Sequence, residues 1–353
     1  MGTPSVDPSP KVAAESPRRD QRVRPPDLIY GLDDRPPLPH LILLGAQHVA
    51  VICPYLVFIA LITQAAGASS AVASHAVGLG MIAIALATLL QAHRLGPVGS
   101  GYLAPPVVSA IYFASALGAA HRGGLGLVCG MVAFAGVIEA IFAWALPRMR
   151  RVFPPVVSGF IVIAVGVELG LIGVRGFLGV FNLHDPNLFR NIGAAAVTLA
   201  VMVGLGVWGK GLPRLLCGLI GLGLGMVIAV AVGMVTSKDV ATFNSRPWFA
   251  LPDPRFLSYR FEPSLMIPFA IAALASGLRV IGVITTCQRI NDASWRRPDL
   301  NSIRSGVLSD GISCLVGGCV ATPGPQSRTA PSATVQIGRR ETGGQAARTM
   351  AAN

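Results

Sequence analysis

The sequence GSGYLAPP occupies residues 99–106, near the start of an apolar segment that covers about 98–118. A helix of about 20 apolar residues crosses a hydrocarbon core about 30 Å thick. Pro105 and Pro106 have no amide hydrogen, and proline does not fit inside a regular helix. The segment is therefore predicted to cross a membrane as a broken helix.

A second break, TPGP at residues 322–325, opens a later segment that meets Pro331 soon afterwards. Each break follows two apolar spans, counted from residue 41 in one case and from residue 264 in the other. The breaks thus occupy equivalent places in two repeats, which is typical of transporters that bind cargo near the middle of the bilayer. Hydrocarbon cannot solvate the backbone groups that such breaks expose, so these groups must face protein, water or cargo.

The composition is that of a membrane protein: 353 residues, 52% hydrophobic and 12% charged, with a mean hydropathy of +0.62. A soluble domain carries roughly twice this share of charge. Further apolar spans are predicted at about 41–63, 73–92, 124–146, 155–174, 190–208, 212–235, 264–287 and 303–321. The predicted fold class is an all-α integral membrane protein with an inverted-repeat transporter fold and discontinuous helices three and ten.

The formal net charge is +12, and the Lys and Arg residues lie mainly in a terminal segment and in short loops between apolar spans. Loops that hold Arg94 and the clusters at 148–151 and 289–304 fall on one side of the membrane, which the positive-inside rule makes cytoplasmic. Residues 1–37 are predicted to be a disordered cytoplasmic leader. The chain is expected in the cytoplasmic (inner) membrane as a multi-pass protein, and this distribution of charge does not favour nucleic-acid binding.

Two neutral polar residues, Gln47 and His48, interrupt the apolar run LILLGAQHVAV at 41–51. An uncompensated amide or imidazole is costly in lipid, so both are predicted to face the protein interior. They could contact substrate there, or they could form an interhelical hydrogen-bond pair that only holds helices together.

Arg279 lies in an apolar span and cannot lose its charge. It is predicted either to contact cargo or to form a salt bridge with Glu139 or Glu168, which are also candidate proton carriers. Asp310, near the start of the ninth predicted span, is interpreted as an interfacial cap or a helix-packing residue. The sequence contains no HExxH, P-loop, GxSxG or zinc-binding spacing, so no catalytic residue, metal or cofactor is predicted and the chain is not expected to be an enzyme.

Three features in combination resemble the nucleobase/ascorbate transporter family of xanthine and uracil permeases. They are Gln47-His48 in the first span, Gly99-Ser100-Gly101-Tyr102 before the broken third span, and FPPVVSG at 153–159, which opens the fifth span. Their order and spacing agree with that family. The resemblance covers about residues 38–335.

The resemblance implies 14 segments in two inverted repeats of seven, which form a core domain and a gate domain. Core helices 1–4 would then occupy 38–150, gate helices 5–7 would occupy 151–236, an extracytoplasmic loop 237–263, and core helices 8–10 would occupy 264–335. Residues 336–353 would form a polar tail. Segments eleven to fourteen would be missing, so the second repeat would be incomplete and the chain truncated after segment ten.

The resemblance also implies that the base lies between the half-helices of segments three and ten, and that segment eight contacts it. Arg279 stands where the family has a glutamate, and Val283 where it has an aspartate. The predicted substrate-binding residues are Gln47, His48, Tyr102, Leu103, Ala104, Arg279, Val283, Gly324, Pro325 and Gln326. Tyr102 would stack on the base, and Arg279 would favour an anionic base such as urate or xanthinate.

The predicted function is a permease for a purine or related nucleobase of the xanthine, urate or uracil class. We expect coupling to a proton or a sodium ion, and the chain could form a homodimer. Two alternatives remain: an anion carrier of the sulfate-permease type, and a truncated membrane protein that does not transport.

Overall fold

The computed structural model describes residues 37–149, 188–209, 217–235, 251–323 and 325–327, together with isolated positions outside these ranges. The elements are helices and two short strands, in the following order: α1 (Leu38–Ala65), α2 (Ser70–Ala92), β1 (Pro106–Val108), α3 (Phe113–Met149), α4 (Leu188–Trp208), α5 (Cys217–Ala231), α6 (Pro263–Asn291), α7 (Leu300–Cys319) and β2 (Pro325–Ser327).

Five helices of the described part are long and apolar enough to cross a membrane: α1, α2, α3 over Phe113–Leu146, α4 and α6. A shorter apolar helix, α5, follows α4 and packs against it. The prediction of an all-α, multi-pass membrane protein is therefore confirmed. The fifth predicted span at 155–174, the tail at 336–353 and most of the leader at 1–37 lie outside the described residues, apart from isolated positions.

The long helix α3 contains a sharp break at Gly124, where φ is +67° and ψ is −164°. An L side chain rarely adopts this conformation, whereas glycine adopts it without steric cost. The break divides α3 into two parts. The part before Gly124 is the helical half of the third predicted span (98–118), and the part after it is the fourth predicted span (124–146). The boundary predicted between spans 98–118 and 124–146 therefore falls at this glycine.

The two interrupted segments meet as an antiparallel ribbon of β1 and β2, in which Pro106 pairs with Ser327, Val107 with Gln326, and Val108 with Pro325. Each strand begins at a proline, which fits because proline has no amide hydrogen to donate to the partner strand. The ribbon is buried, with Val107 2% and Val108 0% exposed. The backbone groups that the two breaks release are thus used to join the segments to each other.

The core lies between α3, α6 and α7, which bring Met131, Phe269 and Cys314 together. Glycines set the distance between α3 and α7. A Cβ atom on Gly311 of α7 would lie 2.7 Å from the Ala140 amide nitrogen of α3, closer than real Cβ atoms approach. Small residues let membrane helices pack with their backbones in contact. The close α3–α7 packing places polar side chains of both helices behind the ribbon.

Candidate functional site: a buried polar network behind the ribbon

The ribbon is enclosed by three helices. Phe58 and Ile59 of α1 and Ile84 of α2 belong to the same buried cluster as Val108 of β1. Behind β2, α7 contributes Gly317, and a Cβ atom there would contact the Pro325 ring. The broken segments are therefore held in the protein interior by α1, α2 and α7.

The loop that leads into β1 is anchored to α7 by two hydrogen bonds. The Ser302 hydroxyl of α7 donates a hydrogen bond of 2.8 Å to the Ser100 carbonyl, and the Gly99 amide donates one of 3.1 Å to the Ser305 carbonyl. Gly99 has a φ of +92°, and a Cβ atom there would overlap the His93 carbonyl oxygen. Glycine is thus required at Gly99 to start the broken segment.

A chain of buried polar groups connects the two broken segments. Tyr112, which follows β1 at the start of α3, donates a hydrogen bond of 3.3 Å from its hydroxyl to Glu139 Oε2. The Ser276 hydroxyl of α6 lies 2.8 Å from Glu139 Oε1 and 3.3 Å from Asp310 Oδ2. Asp310 Oδ1 accepts the amide hydrogen of Ser327, the last residue of β2, at 2.6 Å. The chain therefore runs from one broken segment to the other through three helices.

The two acids of this chain of polar groups, Glu139 and Asp310, are close enough to share a proton. Glu139 and Asp310 are both 0% exposed, and the Ser276 hydroxyl between them has a single hydrogen. One hydroxyl hydrogen cannot serve two carboxylates, and two buried carboxylates this close cannot both stay charged without compensation. The arrangement favours one proton shared by the two acids.

The location of Asp310 corrects one expectation. The interpretation as an interfacial cap near the start of a span is wrong, because Asp310 lies halfway along α7 and is fully buried. Its contact with Ser276 of α6 agrees with the other interpretation, a helix-packing residue, and it also accepts from the amide group of Ser327. The helix begins at Leu300, and the aspartate that caps it is Asp299, whose side chain accepts from the amide groups of Asn301 and Ser302.

Arg279 lies on α6, three residues after Ser276, and is 6% exposed. Its Nη2 donates to the main-chain carbonyl of Ser327. The predicted substrate-binding residue Arg279 thus contacts the ribbon itself. Glu139, its predicted salt-bridge candidate, is engaged with Tyr112 and Ser276, while Glu168, the other candidate, lies outside the described residues.

The other predicted residues fall in different surroundings. Tyr102, Ala104 and Val283 belong to one buried cluster with Phe142. Leu103, between two of these residues, is 50% exposed. Two more lie in β2, Pro325 buried and Gln326 paired with Val107, while Gly324 lies outside the described residues.

Gln47 and His48 lie on α1, which also contacts the ribbon through Phe58 and Ile59. Ten residues separate His48 from Phe58, about 15 Å along a helix axis. Gln47 is 4% exposed, and neither its Oε1 atom nor the Nε2 atom of His48 has a hydrogen-bond partner within the described residues. Buried polar atoms are normally paired, so these two are suited to a ligand or to water.

Three of the polar residues that link the helices were not predicted from the sequence: Tyr112, Ser276 and Ser327. One signal was available, since Ser276 and Arg279 are three residues apart and therefore share a face of α6. Tyr112 and Ser327 carried no such signal, because their partners are distant in the sequence.

An all-α chain that crosses a membrane several times and joins two broken segments in its interior has the architecture typical of a membrane transporter. A family model described as the Permease family matches residues 39–350, and the chain belongs to this family.

Curated relatives agree with this assignment. The chain is 30% identical over 312 residues to the xanthine permease XanQ of Escherichia coli K12, which covers 84% of this chain and 66% of the relative. It is 28% identical over 308 residues to the xanthine permease XanP of the same organism, which covers 82% of this chain and 65% of the relative. It is also 29% identical over 309 residues to the uracil permease of Bacillus caldolyticus, which covers 82% of this chain and 66% of the relative. The chain thus spans slightly less than two thirds of the length of these relatives.

Proposed function

We propose that this protein is a permease that moves a purine or related nucleobase of the xanthine, urate or uracil class across the cytoplasmic (inner) membrane. The observation that supports this most directly is the ribbon of β1 and β2, which joins two proline-interrupted segments in the protein interior. The names of the relatives, xanthine permease and uracil permease, supply the substrate class. The N-terminus would be cytoplasmic, and two copies would form a homodimer.

The proposed substrate-binding residues are those predicted from the sequence, and their surroundings support a different role for each group of them. Gln47 Oε1 and His48 Nε2, which have no hydrogen-bond partner within the described residues, would bond to polar edges of the base. Tyr102 and Val283, buried in one cluster, would support the wall of the site. Arg279 would add a fixed positive charge beside β2, which favours an oxopurine that ionises readily, such as urate.

Uptake into liposomes tests this proposal. Radiolabelled xanthine, urate and uracil are offered to vesicles with the purified 353-residue protein and to empty vesicles, with unlabelled sulfate as competitor. The proposal expects uptake of at least one base above empty vesicles, and no competition by sulfate. Competition by sulfate would indicate an anion carrier instead, and the absence of both uptake and binding would contradict the proposal.

We propose that the coupling ion is a proton carried by Glu139 and Asp310. The groups that face this pair are Tyr112, Ser276, Cys314 and Arg279, and among them Arg279 brings a fixed positive charge. One shared proton leaves a single negative charge on the pair, which balances that one cation. Since Asp310 also bonds to Ser327, a change in the position of β2 would alter the affinity of the pair for its proton.

The substitution Glu139→Gln keeps the shape of the side chain and removes its ability to exchange a proton. We expect accumulation of base driven by an inward proton gradient to be lost in liposomes, while exchange of labelled for unlabelled base, which needs no gradient, continues. Glu262→Gln in the loop before α6 is the control, because Glu262 bonds to Ser264 away from the network. Gradient-driven accumulation by Glu139→Gln at the level of the unsubstituted protein would contradict this assignment.

A further inference from the structure

The main-chain groups of Ser327 point away from the ribbon. Its partner Pro106 has no amide hydrogen. The hydrogen bonds between the two strands are therefore made by the main-chain groups of the central pair, Val107 and Gln326. Residues alternate along an antiparallel strand, and the N–H and C=O groups of Ser327 therefore face outward from β1. In a larger sheet, a third strand would form hydrogen bonds with these two groups. In this protein, two side chains form those bonds instead.

Those side chains come from different helices, and the Glu139–Asp310 pair and Arg279 carry opposite charges. Asp310 of α7 accepts the Ser327 N–H, and Arg279 of α6 donates to the Ser327 C=O. An amide hydrogen is the positive end of the peptide dipole and a carbonyl oxygen is the negative end, so each charge meets the end that it favours. Hydrogen bonds with a charged partner are stronger than bonds between neutral groups.

The burial of both side chains adds to this effect. Asp310 is 0% and Arg279 6% exposed, so water does not compete for either bond. Both bonds are made to the main chain, and they therefore fix the path of the backbone whatever side chain residue 327 carries. Ser327 is also the point where β2 ends and the continuation of segment ten begins.

We propose that Arg279 and Asp310 are positioning residues, which hold the end of β2 in register with β1 and so set the geometry with which segment ten meets its cargo. The statement about β2 stands on the contacts alone, whereas the statement about cargo rests on the proposed function. Arg279 thus has a role that does not require direct contact with substrate. The two roles differ in what they predict for anionic and neutral bases.

Hydrogen exchange tests the structural statement without any substrate. Since Pro325 has no amide hydrogen, β2 has only two exchangeable amides, those of Gln326 and Ser327. Mass spectrometry of overlapping peptides from detergent-solubilised protein would measure their exchange. We expect these amides to exchange at least about tenfold faster in Arg279→Met and Asp310→Val. Arg279→Lys and Asp310→Asn, which keep a donor and an acceptor, should restore most of the protection.

The control is Arg289→Met on the same helix, because Arg289 is exposed and stacks on Trp295, 5.5 Å from the ring centroid. It should leave exchange at β2 unchanged. Unchanged exchange in Arg279→Met would overturn the proposal. If Asp310→Val is not monodisperse on size exclusion, the comparison of Arg279→Met with Arg279→Lys decides the question alone.

Transport separates positioning from direct binding. If Arg279 positions β2, Arg279→Met should raise KM by a similar factor, about tenfold, for anionic urate and for neutral uracil, and Arg279→Lys should recover both. If Arg279 binds substrate directly, the loss should be confined to urate, and that result would overturn its positioning role in transport. Failure of the unsubstituted protein to bind any base would refute the proposed function, but the exchange experiment would still decide whether β2 is held by these two side chains.

Discussion

Gly136→Val is expected to prevent the protein from reaching its native packing. A Cβ atom at Gly136 would overlap the Leu315 amide nitrogen of α7 and lie 2.7 Å from Leu315 Cα. These are backbone atoms, so no change of rotamer relieves the overlap, and α3 and α7 must separate. Overpacking of a core typically costs about 1–3 kcal/mol and sometimes more. We expect a loss at or above the upper end of that range, measured as a fall in Tm in detergent and a loss of monodisperse protein on size exclusion.

The same helix provides a matched control. A Cβ atom at Gly118 would meet nothing within 4 Å, although Gly118 and Gly136 both lie on α3. Gly118→Val therefore introduces the same side chain into the same helix without contact with α7, and Tm should change little. Equal Tm values for the two variants would show that α3 and α7 do not pack as closely as the structure indicates.

Val107→Pro is expected to weaken nucleobase binding by at least about tenfold. The central pair of the ribbon, Val107 and Gln326, is the pair whose two residues both have an amide hydrogen and face each other, so proline at 107 removes a ladder donor. The Gln326 carbonyl would then be buried without a hydrogen-bond donor, which costs about 1–3 kcal/mol, and the proline ring adds steric conflict. Each 1.4 kcal/mol lost from binding corresponds to about a tenfold rise in Kd. Equilibrium binding of radiolabelled xanthine to solubilised protein would show whether affinity falls by at least that factor.

Val107→Ala is the matched control, because it shortens the side chain and keeps the amide hydrogen. It should bind xanthine with a much smaller loss of affinity than Val107→Pro. Full retention of binding by the proline variant would indicate that the ribbon does not form the site.

The breaks were predictable from the sequence, whereas the contact between them was not. Proline and glycine act on their own backbone, so PP at 105–106 and TPGP at 322–325 reveal their effect without any knowledge of the fold. The register of β1 against β2 joins residues more than 200 positions apart. It depends on how α1, α2 and α7 enclose the strands, and no local pattern contains that information.

The position of Asp310 was also misjudged from the sequence. The apolar span begins near 303, three residues after the helix start at Leu300 that the Asp299 cap sets, and Asp310 lies near the middle of both the span and the helix rather than at an end. A capped, serine-rich helix with a buried polar face has low mean hydropathy, so an apolar window finds its boundaries poorly. Glu139 and Arg279 were recognised because charge in an apolar span is unusual. Ser276 and Tyr112, their neighbours in space, are ordinary in such spans and were overlooked.

The proposed nucleobase site requires β1 and β2 to lie side by side in the membrane-embedded protein. Cysteines at 107 and 326 test this, since their Cα atoms are partners in the ribbon and such pairs lie within the range that a disulfide spans. After mild oxidation of membranes, mass spectrometry would quantify the linked peptide, with Val107→Cys and Ser294→Cys as a distant control pair. We predict that the 107–326 pair cross-links in most molecules and that bound xanthine, but not sulfate, changes its rate. A yield no higher than that of the control pair would show that β1 and β2 do not pair in the membrane.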